Sequence, residues 1–214
     1  MTATLTGIAL LLADARLPVA GHTQSGNLEP ALAAGLDDVP AFLALRLATV
    51  TRTEAATAVV TLSHLQRGEG LDGVYDAWAA RTVSAAMRDT SRELGRGLLR
   101  LAGGLWDLPP LLTGLPRPMV LGAVAHATGL PATALAEVVG YDDLQSVASA
   151  ALKLRPLDPA VATGWVVAAL PLLATLVSSV AHLDSPTDIP ATSSPWIEHL
   201  AESHAVTTRR LFRA

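Results

Sequence analysis

Two side chains in the first thirty residues could exchange a proton. His22 and Glu29 stand within the segment Leu17 to Glu29, where Pro18, Gly21, Gln24, Ser25, Gly26 and Asn27 also crowd together. An imidazole near a carboxylate is the pairing used in general acid–base catalysis. It is also a polar pair suited to contact, with the histidine satisfying backbone groups. Apolar stretches flank the segment, and Pro18 with Gly21, Gly26 and Asn27 allows the backbone to turn tightly. Ser25 is placed to cap the helix that follows, and Glu29 falls in its first turn, where a carboxylate suits the helix dipole. A shaped polar loop between two apolar helices reads as a contact site.

Three further clusters carry polar chemistry. Arg88, Arg92, Arg96 and Arg100 step by four residues along one helix, with Asp89 and Glu93 between them. Such a row is either a solvated face or a set of guanidinium forks awaiting carboxylates on a partner. Met87, Leu94, Leu98, Leu101 and Leu105 form its apolar face, within about 40° of one direction on a helical wheel. Gly95 and Gly97 inside it predict a close backbone neighbour or a bend. Glu198, His199, Glu202 and His204 share a later helix; its carboxylates and imidazoles make a poor metal site and are expected to form a solvated face. The terminal segment 207–214 joins Arg209, Arg210 and Arg213 to Phe212. It is either a frayed end or a docking peptide with Phe212 as its anchor.

No nucleotide-binding glycine motif, metalloprotease helix motif or nucleophile-elbow motif is present. The sequence assembles no nucleophile with a base and an orienting group, so it reads as a non-enzyme with no bound cofactor or metal. It contains no cysteine, which excludes disulfides and thiolate chemistry and fits a cytoplasmic location. A net charge of −4 and a pI near 5.8 argue against nucleic-acid binding. Only 16% of residues are charged and the mean hydropathy is +0.40, so a partner is expected to cover part of the surface.

The elements that must position these groups are helices. Their expected ranges are 4–15, 27–35, 40–67 with a break near Thr53, 72–105 with a break, 118–128, 132–154, 159–182 and 195–206. Asp38 with Pro40, Arg117 with Pro118, Leu130 with Pro131, and Asp158 with Pro159 punctuate starts. Gly35, Gly68 and Gly129 punctuate stops. Residues 183–195, with three prolines, read as an extended loop. No alternating run supports a strand, so the expected fold is one all-α domain over 1–214, a bundle of about eight to ten helices. The N-terminal apolar stretch lacks the features of an export signal. Pro159 to Ala181 carries no charge and is long enough to span a bilayer, which makes a small membrane-anchored protein the alternative reading. Gly164, Pro171 and its hydroxyl residues favour a buried core helix, and a membrane is not expected.

Four of these segments, in order, resemble the urease accessory protein F (UreF) family. The family loop L-P-x-G-G-F-x-x-S-x-G-L-E is matched by Leu17, Pro18, Gly21, Ser25, Leu28 and Glu29. The pattern R-x-x-S-x-x-x-G-R-x-L-L is matched by Arg88, Ser91, Gly95, Arg96, Leu98 and Leu99. Leu154-Arg155-Pro156-Leu157 is similar to an R-L-x-P-L segment, and Arg210-Leu211-Phe212-Arg213-Ala214 to an R-L-F-R-S ending. Ala20, His22 and Asn27 depart from the loop pattern, and Ala86 replaces a common acid; Asn27 preserves access to the left-handed turn. The resemblance implies an all-α cytoplasmic homodimer that binds UreD (also called UreH) and the GTPase UreG on apo-urease. Nickel would be handled by that complex. It assigns His22, Ser25, Glu29, Arg88, Arg92 and Arg96 to partner or dimer contacts, and Arg209, Arg210, Phe212 and Arg213 to UreD docking.

Overall fold

Helix boundaries follow local capping chemistry. In a computed structural model describing residues 2–14, 17, 23–110, 114–208 and 210–212, the described residues form ten α-helices and one short 3-10 turn. The helices are α1 (Thr2–Leu12), α2 (Leu28–Ala33), α3 (Val39–Ala48), α4 (Val50–Arg67) and α5 (Asp72–Arg81). They continue with α6 (Ala85–Gly103), α7 (Arg117–Thr128), α8 (Ala132–Leu154), α9 (Pro159–Val180) and α10 (Pro195–Ala205). Asp38 accepts a hydrogen bond from the Ala41 amide at 2.9 Å and starts α3; Asp158 accepts from Ala160 at 2.8 Å and starts α9. Gly68 and Gly129 end α4 and α7 in the left-handed conformation, as their positions predicted.

Two expected long helices are each divided, one of them elsewhere than expected. The break between α3 and α4 falls at Thr49, not Thr53. The Thr49 hydroxyl donates to the Leu45 carbonyl at 2.7 Å, and the Thr49 carbonyl accepts from both the Thr53 amide and the Thr192 hydroxyl at 3.2 Å. Thr192 lies on the loop before α10, so no local pattern could have marked this position. The second break, at residues 82–84, ends where Ser84 caps α6 by accepting from the Met87 amide at 3.2 Å. Within residues 183–195, the 3-10 turn Pro186–Asp188 and the buried Ile189 tie the loop down.

α4 is the central element. Ala55 to Leu62 are buried without exception, and the hydroxyls of Thr57 and Thr61 donate to carbonyls four residues earlier at 2.8 Å. α7, buried from Pro118 to Ala125, lies against it. Gly122 allows this approach, since a Cβ there would stand 2.6 Å from the Ala58 carbonyl oxygen. α8 packs between α4 and α9.

α9 differs from the expected core helix. Ala162, Val166, Ala169, Leu173, Leu176, Val177 and Val180 face inward, whereas Val161, Val167, Leu170 and Leu172 face out. α3, α4 and α8 cover only one side, so α9 is a surface helix with an apolar outer face. By length and composition alone it could cross a membrane; a third of that apolar window is buried inside the protein.

Candidate functional site

The polar loop leads into α2 through Asn27, which takes the left-handed conformation (φ 64°). Ser25 accepts a hydrogen bond from the Glu29 amide at 3.3 Å. The Glu29 carboxylate then reaches the far end of the chain: Oε1 accepts from the Leu211 amide at 2.6 Å and Oε2 from the Phe212 amide at 2.8 Å. His204, buried on α10, places Nε2 3.2 Å from the Phe212 carbonyl oxygen and 3.5 Å from Glu29 Oε2. Arg210 donates to the His204 carbonyl at 3.1 Å. The Phe212 ring is buried in the core of its own chain, with Lys153 Nζ 5.2 Å from its centroid. Among the described residues the imidazole that meets Glu29 is His204, which sequence spacing did not suggest. His22, Arg209 and Arg213 lie outside the described residues.

The residues expected to form a solvated face on α10 divide. His199 is exposed, but Glu202 accepts from the Ser84 hydroxyl at 2.6 Å and the Ala86 amide at 3.0 Å, capping α6 from another helix. Those bonds, that from Ser84 foremost, hold its carboxyl below the usual range. His204 is buried, as described. No group of three metal-ligating side chains occurs among the described residues.

The arginine row of α6 is likewise divided by what each residue touches. Arg88 donates to the carbonyls of Thr82 and Val83 at 2.6 and 2.7 Å, closing the end of α5. Arg92 donates to the Tyr75 hydroxyl at 3.1 Å and pairs with Asp89. Arg96 is exposed, 3.9 Å from Glu93, and Arg100 is exposed. The buried line of the helix is Ser91, Gly95, Leu98 and Ala102. This is rotated by about 60° from the leucine-centred face expected from the sequence. Gly95 sets the rotation: a Cβ there would lie 2.2 Å from the Leu115 carbonyl oxygen, so the chain entering α7 crosses directly over it.

A cavity of about 540 Å³ opens beside α4, bounded by α3, α6, α7, α8 and the tail. Arg46 pairs with Asp143 through two bonds of 3.0 and 2.5 Å, and Thr51 donates to the same carboxylate at 2.7 Å. Arg46 also donates to the Gly26 carbonyl at 2.7 Å, which fastens the polar loop to α3. Arg117 pairs with Asp142 at 3.1 Å, yet burial still raises the Asp142 carboxyl. Glu54 accepts from the Trp78 indole at 2.8 Å and is pushed up by burial to about 6. The sequence reading passed over these residues. The available signal was a lone charge in an apolar helix, such as Arg46, or the Asp142-Asp143 pair within α8.

These features define an all-helical protein whose polar clusters fasten loop, helices and tail to one another, a scaffold for contacts. The UreF family model matches residues 34–170. A urease accessory protein UreF of Mycobacterium marinum is 33% identical over 217 residues, covering 98% of this chain and 99% of the relative. One of Mycobacterium tuberculosis is 34% identical over 213 residues, again covering 98% and 99%. The chain belongs to the UreF family, whose members are non-catalytic accessory proteins.

Proposed function

We propose that this protein is a urease maturation adaptor, a homodimer in the cytoplasm that bridges UreD (UreH) and the GTPase UreG on apo-urease for nickel insertion. The full-length likeness to proteins named urease accessory protein UreF carries this reading. In it, the complex handles the nickel and this chain binds no cofactor of its own. The Glu29 region, Ser25, His22 and the outward Arg96 belong to partner or dimer contacts. Arg88 and Arg92 shape that face by fixing its helices, and Arg209, Arg210 and Arg213 form the UreD-docking end, held in place by Phe212, whose ring is buried in its own chain's core instead of anchoring in a partner. The bonds from Glu29 to the tail support treating loop and tail as one surface.

Mixing the purified protein with UreD and UreG should yield one co-eluting complex. Separate elution at micromolar concentration overturns the reading. Deleting residues 207–214 should weaken UreD binding, with unfolding followed in parallel because Phe212 is part of the core. Unchanged affinity removes the tail from the docking surface. Recovery only with membranes after detergent-free lysis would instead favour an anchor at α9.

A further inference from the structure

The carboxylates that line the cavity beside α4 are not equally matched by ion-pair partners. Asp143 is taken up by Arg46 and Thr51, and Asp142 by Arg117. Glu54 lines the same cavity with a single hydrogen bond, from Trp78 to Oε1, and no ion pair to a described residue. The α6 rim adds Asp89, paired with Arg92, and Glu93, near Arg96; Arg210 enters from the tail, already donating to the His204 carbonyl. Burial without an ion-pair partner is costly for a carboxylate and raises the Glu54 carboxyl to about 6, so at pH 7 the group is still mostly ionised and open to a cation.

We infer that this cavity is a binding site for one small organic cation, a guanidinium or primary ammonium group on a short aliphatic stem, received by Glu54. The group takes Glu54 Oε2, while Trp78 keeps Oε1. Its stem lies along the apolar part of the wall, formed by Val50, Met87, Leu94, Leu121 and Val139. The volume of about 540 Å³ admits such a ligand with room to spare. A metal ion is the poorer fit, because it needs several converging ligands. Asp142 and Asp143 are committed to arginines, and no three-residue metal group occurs among the described residues. The site stands apart from the adaptor reading and does not depend on it.

The Trp78 indole N–H, bonded to Glu54, is a built-in reporter. In the ¹⁵N-labelled full-length protein, butylguanidinium should shift that signal saturably at pH 7, and its neutral isostere butylurea should not. Glu54→Gln, which keeps an acceptor for Trp78, should weaken the response by roughly tenfold or more, the worth of one charge-assisted contact. Asp142→Asn, which leaves Arg117 unpaired beside the site, should weaken it as well. An equal response to butylurea, a Glu54→Gln titration like that of the unmodified protein, or a saturable response to Ni²⁺ that excludes butylguanidinium overturns the assignment. The same titration in the assembled complex separates two sources of the cation. A partner's lysine or arginine side chain would shift the signal on assembly and exclude butylguanidinium; a free small cation would leave the titration in place.

Discussion

Glu29 spends both carboxylate oxygens on consecutive backbone amides near the chain's end. An ionised acceptor makes such bonds about twice as strong as neutral ones. Glu29→Gln turns one acceptor into an N–H donor facing another donor, so the tail should loosen. Hydrogen exchange at the Leu211 and Phe212 amides should then rise roughly tenfold or more, with global unfolding little changed. Glu54 gives a second residue-scale test, with a definite sign. Its carboxyl is raised from 4.5 to about 6 by burial, so the folded state holds this proton more tightly than the unfolded chain. The associated stability is complete below pH 4.5 and is lost as pH rises to about 6, a change of about 2 kcal/mol. Glu54→Gln removes that decline. Denaturant unfolding at pH 4.5 and 7 should show the variant gaining up to about 2 kcal/mol relative to the unmodified protein between the two.

The elements show how far local pattern reaches. The caps at Asp38, Asp158, Gly68 and Gly129 were legible because each acts within its own turn. The break at Thr49 was not, because its completing donor, Thr192, comes from a distant loop. Gly95 was legible as a demand for close approach, though not what approaches. Gly95→Ala should cost about 1–3 kcal/mol by denaturant unfolding, since a backbone carbonyl cannot yield as a flexible side chain does. On α9 every position is apolar or small, so sequence periodicity could not separate inside from outside. Val167→Lys, on the outer face at 59% exposure, should stay within about 0.5 kcal/mol of the unmodified protein. Leu173→Lys, at 7%, should cost several times more.

At the scale of the whole molecule, one connected core runs from Leu12 to Phe212 and draws on every α-helix. Unfolding by heat and by denaturant should accordingly follow one cooperative transition by both circular dichroism and Trp fluorescence. Two separated transitions would divide the chain into two folding units. By itself the sequence determined that the chain is helical, where most helices begin and end, and which family it joins. Those properties reside in capping residues, apolar content and ordered motifs, all readable along the chain. Only the tertiary structure decided that Glu29 meets His204 and Phe212, that Glu54 lines a cavity without an ion pair to a described residue, and that α9 leaves an apolar face uncovered. Each of these depends on which distant residues are brought together and which are shut off from water, and burial of that kind has no local signature.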